Sequence, residues 1–256
     1  MKVNNLFCIV TGGSSGLGKV TTTLLLDSSC TVIVFDLQSP EESLFKKYKN
    51  LDFQKVDITN ELEIENAFEY VINKYKSLHV LINCAGIGHV ENVISFEENN
   101  TTLHSTESFI KTMNINLIGT FLTCKYATLH MRKNELDLDL DNERGVIINV
   151  ASIAGIEGTI GQAAYSASKG GIIGMSMPLA RELGQYNIRL STIAPGPIDT
   201  GIKMAEYAEK LKKMSVVGRF GYPHEFAIFA KHIIENPYLA GSTLRLDGGL
   251  VKPNIY

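Results

Sequence analysis

Short apolar runs recur along the chain and alternate with longer amphipathic stretches. Glu61–Lys76 and Asn116–Arg132 carry apolar residues at helical spacing. Because such helical stretches alternate with strand-like runs through the whole length, the pattern predicts an α/β fold with a doubly wound parallel sheet and helices on both faces. The runs are apolar at nearly every position, as in parallel strands buried on both faces, and are Leu6–Thr11, Thr31–Asp36, Leu78–Asn83, Val146–Val150, Ile188–Ile193 and Thr243–Leu246.

Two polar segments interrupt this alternation, and we predict that both are loops. His89–Ser105 is rich in Asn, Thr and Glu, and Lys133–Arg144 is charged. In the second segment Asp137, Asp139 and Asp141 alternate with Leu, but the Gly and Glu that a calcium loop requires are missing, which favours a solvated loop. Because no Pro/Ser-rich linker separates the elements, we predict one domain over residues 1–256.

Composition excludes several classes of protein. The 256 residues include 24 Lys and Arg against 27 Asp and Glu, and the net charge of −3 excludes the strong basic excess typical of nucleic-acid binding. No apolar run approaches the roughly 18 residues that span a bilayer, and no leader pattern is evident, so we expect a soluble intracellular protein without a membrane partner. The four cysteines form no C-x-x-C pair and are expected to be reduced and buried, and the six histidines lack zinc-ligand spacing, so we assign no metal.

A glycine-rich turn follows the first predicted strand and precedes a helical stretch. It reads Thr11-Gly12-Gly13-Ser14-Ser15-Gly16-Leu17-Gly18. Glycines in this position let the backbone approach a pyrophosphate, and the following helix offers it free N–H groups and the positive end of its dipole. The sequence therefore predicts a dinucleotide site.

The second predicted strand ends in Asp36, 18 residues after Gly18. A carboxylate at about this spacing hydrogen bonds the ribose 2′-hydroxyl and repels the 2′-phosphate of NADP. No Lys or Arg stands at Gly13–Ser15 or directly after Asp36 to offset that repulsion. The alternative is that this Asp only caps the next turn; given the turn upstream, we predict NAD(H) as the cofactor.

Ser152, Tyr165 and Lys169 form a candidate catalytic set. Tyr165 and Lys169 are four residues apart and share one helical face. A nearby ammonium lowers the pKa of a phenol, which is ordinarily near 10, so Tyr165 could exchange a proton with an alcohol or ketone. Ser152 could hydrogen bond the same oxygen. A Y-x-x-x-K pair alone is common on protein surfaces. Here it indicates a catalytic site because Ser152 stands upstream at a strand end and a dinucleotide turn precedes both.

Five motifs in order resemble the short-chain dehydrogenase/reductase family over essentially the full chain: Thr11–Gly18, Asn83–Gly86, Asn116–Gly119, the Ser152/Tyr165/Lys169 set and Pro195–Thr200. The resemblance implies a single-domain Rossmann fold and makes Asn116 a fourth catalytic member that holds a water near Lys169. It also implies cofactor contacts at Gly12, Ser15, Gly16, Leu17, Gly18, Asp36, Asp57, Ile58, Asn83, Cys84, Ala85, Gly86, Tyr165, Lys169, Pro195, Ile198 and Thr200.

Three further stretches are similar to the type-2 3-hydroxyacyl-CoA dehydrogenase subgroup: Gly145–Ser152, Gly161–Met175 and Ile233–Gly241, together with Pro178 inside a helix. This similarity implies NAD-dependent interconversion of (S)-3-hydroxyacyl-CoA and 3-oxoacyl-CoA, with hydroxysteroids as further candidate substrates. It also implies a role in fatty acid metabolism, a mitochondrial location and a homotetramer built through the Asn116 and Tyr165 helices and the last strand.

The expected substrate contacts are Ser152, Tyr165 and Gln162. A polar residue at a helix start that faces water is an equally good interpretation of Gln162. Two alternative functions stay open. One is an NADPH-linked 3-oxoacyl-carrier-protein reductase, and the other is a catalytically idle NAD-binding scaffold.

Overall fold

The computed structural model describes residues 1–97, 100–136, 142–201 and 212–250. Strands and helices alternate along it, as the apolar runs predict. The strands are β1 (Phe7–Thr11), β2 (Thr31–Asp36), β3 (Leu51–Lys55), β4 (Val80–Asn83), β5 (Ile94–Glu97), β6 (Asn100–Leu103), β7 (Gly145–Val150), β8 (Ile188–Pro195) and β9 (Thr243–Leu246). The α-helices are α1 (Gly16–Asp27), α2 (Glu42–Lys47), α3 (Glu61–Tyr75), α4 (Thr106–Met113), α5 (Gly119–Met131), α6 (Ala163–Gly184) and α7 (Pro223–Glu235).

Seven strands form one parallel sheet in the order β3-β2-β1-β4-β7-β8-β9. The order reverses at β1, where Val10 pairs in register with Val34 on one side and Ile82 on the other. A crevice opens at the carboxyl ends of strands where such a sheet changes direction, and ligands of this fold bind there. The topology therefore indicates where to look for the site.

Apolar side chains cover both faces of the sheet. On one face Val10 packs in a cluster that includes residues of α1 and α7, and on the other face Ile9 packs with residues of α3 and α5. Successive strand residues point to opposite faces, so adjacent residues of one strand supply the two separate layers. This burial explains why the strands lack alternation between apolar and polar positions, and it confirms the predicted Rossmann-type α/β sheet.

Arg189 on β8 joins the sheet to the last turn of α7 and to the segment that follows it. Its guanidinium donates hydrogen bonds to the carbonyl oxygens of Ile233, Ile234 and Leu239 at 2.8–2.9 Å. Its Nε also pairs with the buried carboxylate of Glu143. A buried charge with this many partners is fully compensated, but removal of the arginine would leave several buried acceptors without a hydrogen-bond partner.

Local boundaries differ from the sequence predictions in three places. The segment His89–Ser105, predicted as a loop, contains the antiparallel β5–β6 hairpin, whose side chains are mostly exposed and so show no buried periodicity. The family resemblance implies a third strand that ends in Val56-Asp57-Ile58, whereas β3 ends at Lys55. A π-helical turn over Asn114–Ile118 precedes α5, which was predicted to begin at Asn116. The acidic residues 137–141 of the second predicted loop lie outside the described residues.

Candidate active site

A cavity of about 880 Å³ lies at the carboxyl ends of β1, β2, β4, β7 and β8. Its position is the crevice expected where the strand order reverses. Sixteen of the seventeen predicted cofactor residues line it, and they are Gly12, Ser15, Gly16, Leu17, Gly18, Asp36, Asp57, Ile58, Cys84, Ala85, Gly86, Tyr165, Lys169, Pro195, Ile198 and Thr200. Ser152 also lines this cavity, so the catalytic candidates and the predicted dinucleotide site share one space.

The glycine-rich turn is packed too tightly for side chains. A Cβ on Gly18 would lie 2.1 Å from the carbonyl oxygen of Gly12. A Cβ on Gly12, whose φ is +64°, would lie 2.8 Å from the backbone of Ala85. Ser15 precedes α1 in an extended conformation and its side chain makes no capping hydrogen bond. The first N–H groups of α1 therefore lie at the cavity without a side-chain cap, and uncapped N–H groups of this kind can bind an anion.

Asp36 ends β2 at the cavity wall. Its Oδ2 accepts a hydrogen bond from the Ser14 N–H at 3.0 Å, and its Oδ1 accepts one from the Gln38 N–H at 3.1 Å. The capping role and the proposed ribose role are thus compatible, because each carboxylate oxygen can accept a second bond. Lys55 pairs in register with Asp36 but does not line the cavity.

Asp57 follows β3 in the next turn of this wall. Its Oδ1 accepts hydrogen bonds from the Thr59 N–H at 2.9 Å and the Thr59 hydroxyl at 2.7 Å. Ile58 lines the cavity beside it, and its side chain packs so closely on Gly119 that a Cβ there would lie 2.8 Å from it. These contacts hold the loop after β3 against the start of α5.

Three predicted site residues do not line the cavity, and they are Asn83, Gln162 and Asn116, the last of which is described with Lys169 below. Asn83 is buried at the end of β4, where its Nδ2 donates to Asn149 Oδ1 at 2.9 Å and its Oδ1 accepts from the Thr123 hydroxyl at 2.8 Å. It lies behind the cavity wall and supports Cys84–Gly86. Gln162 stands just before α6, where its Oε1 accepts a hydrogen bond from Thr159 N–H at 3.3 Å. This placement favours the helix-start interpretation of Gln162 over substrate contact.

Ser152, Tyr165 and Lys169 converge at the inner end of the cavity. Ser152 caps a short 3₁₀ turn after β7, and its hydroxyl accepts the Ala154 N–H at 3.1 Å. Lys169 Nζ lies 5.9 Å from the centre of the Tyr165 ring and donates to the Val150 carbonyl at 2.8 Å. Helix α6 supplies Tyr165 and Lys169 from one face, β7 supplies the Val150 carbonyl, and the turn after β7 supplies Ser152.

Burial shifts the pKa values of Lys169 and Tyr165 in the directions that favour their neutral forms. Desolvation lowers the pKa of Lys169 to about 8. Desolvation also raises the pKa of Tyr165, and a hydrogen bond with Ser152 acts in the opposite direction. The direction for Tyr165 differs from the sequence-based expectation of a lowered pKa, because the cost of burying a phenolate outweighs the favourable contact with Ser152.

Asn116 lies behind this pair in the π-helical turn. Its Oδ1 accepts the Ile87 N–H at 2.8 Å, and its Nδ2 donates to the Ile87 carbonyl at 2.9 Å and to the Ser168 hydroxyl at 3.0 Å. A Cβ on Gly86 would lie 3.0 Å from Asn116 Oδ1 and 3.5 Å from Lys169 Nζ, so the two side chains flank the same glycine. π-Helical turns often occur at functional sites, and this one places Asn116 against the catalytic set.

Sequence reasoning missed several residues of the cavity wall. Ile87 and Gly88 follow the Asn83–Gly86 motif, and Glu107 and Lys111 come from α4. Glu107 and Lys111 are four residues apart on a helix that begins at Thr106, a spacing that places them on one face. That spacing was visible, but nothing in the sequence indicated that α4 would stand over the crevice.

The cysteines agree with the expected reduced state. All four are free, and Cys8, Cys30 and Cys124 are buried, whereas Cys84 is partly exposed at the cavity wall. Burial raises the pKa of both Cys84 and Cys124 to about 12, which keeps these thiols neutral. Within the described parts of the chain, no helix combines the length and apolar character needed to cross a membrane.

Comparisons with known proteins agree with this geometry. The model of the short chain dehydrogenase family matches residues 7–211. Over 255 residues the chain is 38% identical to the 3-hydroxyacyl-CoA dehydrogenase type-2 of Homo sapiens, an alignment that covers 97% of this chain and 96% of the human protein. It is also 34% identical to a 3-oxoacyl-[acyl-carrier-protein] reductase of Thermotoga maritima, with 98% of this chain and 100% of that protein covered.

A solved structure supports the same assignment. The crystal structure of a 3-hydroxyacyl-CoA dehydrogenase type-2 from Mycobacterium avium superimposes with a TM-score of 0.88 at 30% sequence identity. The superposition covers 99% of this chain and all of that one. The family match spans most of the sequence and includes the glycine-rich turn and the Ser152, Tyr165 and Lys169 set. The chain therefore belongs to the short-chain dehydrogenase/reductase family of oxidoreductases.

Proposed function

We propose that this protein is an NAD-dependent dehydrogenase that interconverts (S)-3-hydroxyacyl-CoA and 3-oxoacyl-CoA, with Tyr165 as general acid and base. The convergence of Ser152, Tyr165 and Lys169 on the cavity that holds the glycine-rich turn carries the proposal. The substrate class is taken from the similarity to proteins named 3-hydroxyacyl-CoA dehydrogenase type-2.

The cavity fits a dinucleotide. Glycine at positions 12 and 18 lets the turn pack closely against the backbone of Ala85 and against itself, and the N–H groups at the start of α1 have no side-chain cap and would bind the pyrophosphate. Asp36 would hold the adenosine ribose, and Ile198 and Thr200 would hold the nicotinamide end. A nicotinamide held there would supply hydride transfer to and from the carbon that bears the reacting oxygen.

Tyr165 and Ser152 would both contact the reacting oxygen. In oxidation Tyr165 takes the hydroxyl proton, and in reduction it returns that proton to the ketone oxygen. Ser152 hydrogen bonds the same oxygen and holds it within reach of the phenol. Lys169, whose pKa is about 8, lies beside Tyr165 and is positioned to exchange protons near neutral pH. Asn116 orders Ile87 and stands next to Lys169.

Replacement of Tyr165 tests the proposed role directly. We expect Tyr165→Phe to lower kcat with acetoacetyl-CoA by at least about 10²–10⁴-fold, the usual contribution of a general acid. NADH binding, measured by fluorescence titration, should persist because the ring remains. Tyr186→Phe, on an exposed tyrosine beyond α6, is the matched control and should keep full activity. Turnover that survives in Tyr165→Phe would refute the assignment.

Cofactor choice separates this proposal from an NADPH-linked 3-oxoacyl-carrier-protein reductase. Asp36 argues for NADH because its carboxylate would face the 2′-phosphate of NADPH. We expect acetoacetyl-CoA reduction to be faster with NADH. Asp36→Asn removes the charge but keeps an acceptor, and should narrow the NADH preference by about 10-fold or more. The exposed Glu42→Gln serves as the control. A wild-type enzyme faster with NADPH would overturn the cofactor assignment.

Substrate range is tested by initial rates with NAD⁺ across 3-hydroxyacyl-CoA chain lengths and a few hydroxysteroids. Val90 and Ile160 lie beside Gly161 near the catalytic helix, and both are exposed, at 72% and 91%. Such apolar side chains suit an acyl chain better than a compact polar substrate. If the protein binds NADH but turns over none of these compounds, the scaffold alternative is favoured instead.

We also propose a homotetramer in mitochondria. Exposed apolar residues on α5 and the turn before it, Ile118, Phe121 and Leu129, lie on one helix face, and Met177 is exposed on α6. These helices are the ones through which the family resemblance implies assembly. Light scattering that gave a monomer mass would refute the tetramer, and a tagged protein that stayed outside mitochondria would refute the location.

A further inference from the structure

Two histidines and a glutamate come together at the base of the β5–β6 hairpin, outside the catalytic cavity. His89 Nε2 lies 2.9 Å from Glu91 Oε2, and His104 Nδ1 lies 3.6 Å from the same oxygen. One potential ligand atom from each residue lies within 4.8 Å of the others. None of the three lines the cavity, and neither the catalytic nor the cofactor role uses them.

The hairpin explains how residues far apart in sequence meet. His89 and Glu91 are two residues apart and precede β5, whereas His104 follows β6. Pairing of Ile94 with Leu103 closes the hairpin, and the His104 N–H donates to the Val93 carbonyl at 3.0 Å. The chain is thereby turned back so that His104 reaches Glu91.

The carboxylate of Glu91 is held with one oxygen toward the histidines. Its Oε1 accepts the Ser105 N–H at 2.9 Å, which leaves Oε2 to face both rings. The Ser105 N–H and the contact with His89 lower the pKa of Glu91. The Glu91 N–H donates to the Gly161 carbonyl at 2.7 Å, so the backbone of this residue is also tied in place.

His104 has a buried nitrogen whose hydrogen-bonding capacity is unused. Its side chain is 10% exposed, and its Nδ1 lies 2.9 Å from the Ser105 carbonyl, to which it can donate. Nδ1 is also the His104 nitrogen that faces Glu91, so it can bind a metal only after its proton moves to Nε2. Nε2 is buried and has no hydrogen-bond partner among the described residues.

We propose that His89, Glu91 and His104 bind one Zn²⁺ ion, or a divalent ion of similar chemistry, in a structural site that fastens the β5–β6 hairpin to the start of α4. Two histidines and one glutamate form an established zinc ligand set. With Zn–N and Zn–O bonds near 2.1 Å, tetrahedral ligand atoms lie about 3.4 Å apart. The 2.9 Å between His89 Nε2 and Glu91 Oε2 and the 3.6 Å between His104 Nδ1 and Glu91 Oε2 bracket that spacing. The metal would replace the proton now shared by His89 and Glu91, the Nδ1 proton of His104 would move to Nε2, and water would complete the coordination.

Cobalt(II) is the probe, because its visible absorption is strong in four-coordinate sites and weak in octahedral ones. The full-length protein, free of any histidine tag, is titrated with CoCl₂ at pH 7.5. We expect one equivalent per chain to give a four-coordinate spectrum that Zn²⁺ then abolishes. Saturating Zn²⁺ at about 100 times the dissociation constant should also raise the thermal midpoint by about 5 °C or more.

Variants decide whether these residues are the ligands. Glu91→Gln and His104→Gln should each weaken Co²⁺ binding at least about 10-fold and abolish the thermal shift with Zn²⁺. His224→Gln, on an exposed histidine of α7, is the matched control and should bind as the wild type does. If His104→Gln fails to fold, His89→Gln at a ring that is 23% exposed provides the same test.

Three outcomes would overturn the proposal. The first is a titration that does not saturate below millimolar Co²⁺. The second is an octahedral spectrum. The third is an equal loss of binding in His224→Gln, which would place the ion elsewhere. Any of these would refute a four-coordinate metal site formed by His89, Glu91 and His104.

Discussion

The buried lysine of the active site makes the protein's stability depend on pH in a defined direction. Lys169 is almost fully buried, its ammonium donates a hydrogen bond to the Val150 carbonyl, and burial lowers its pKa from 10.5 to about 8. Between these two pH values the unfolded chain holds a proton on this residue that the folded chain has released. The free energy of unfolding contributed by Lys169 therefore rises as the pH increases from below 8 toward 10.5.

The size of the effect follows from the two pKa values. A shift of one pKa unit corresponds to 1.36 kcal/mol, and integration between pH 7 and pH 10 gives about 2.5 kcal/mol of relative stabilisation. Lys169→Met removes this contribution. We therefore expect the unfolding free energy of the wild type minus that of the variant to increase by about 2.5 kcal/mol between pH 7 and pH 10.

Urea unfolding at fixed protein concentration, monitored by circular dichroism at pH 7, 8, 9 and 10, measures this difference. Comparison with the variant cancels the contributions of groups that do not interact with Lys169, including the buried thiol of Cys124. Lys133→Met, at an exposed lysine, is the control and should run parallel to wild type. Parallel curves for wild type and Lys169→Met would show that Lys169 keeps an ordinary pKa in the folded state and would refute the reasoning.

Two further predictions concern a steric contact and a buried ion pair. Gly18→Ala should weaken NADH binding by more than about 100-fold in fluorescence titration, because the new Cβ would lie 2.1 Å from the Gly12 carbonyl oxygen and would distort the turn. Gly184→Ala is the control, since it has open space around it and should bind NADH normally; equal binding by both variants would contradict the predicted pyrophosphate site. Arg189→Met should lower the free energy of unfolding by about 3–5 kcal/mol in urea denaturation, because it leaves Glu143 and the carbonyl of Ile233 without their buried partner; a loss below about 1 kcal/mol would mean that water replaces the guanidinium.

Short apolar strands and local motifs account for most of what could be predicted. The runs around Val10, Ile33 and Ile82 need no knowledge of their neighbours, because a strand buried on both faces must be apolar at nearly every position. The turn around Gly18 and the spacing of Tyr165 and Lys169 are equally local. Parallel strands in such a fold end at one edge of the sheet, so these motifs were expected to meet there.

The exposed hairpin could not be predicted in the same way. Its strands, Ile94–Glu97 and Asn100–Leu103, are only four residues each and bury no face, so hydrophobic spacing carries no signal for them. The His89, Glu91 and His104 cluster depends on that hairpin, and its sequence spacing matches no familiar metal motif.

By itself, the sequence determined the fold class and the family, because each depends on short-range patterns of residues. Only the tertiary structure decided that Asn83 supports the cavity wall from behind, that Gln162 stands away from it, and that the pKa of Tyr165 is raised in spite of Lys169. The physical reason is that desolvation and hydrogen-bond partnership depend on atoms brought together from distant segments. Short-range patterns in the sequence do not determine those distances.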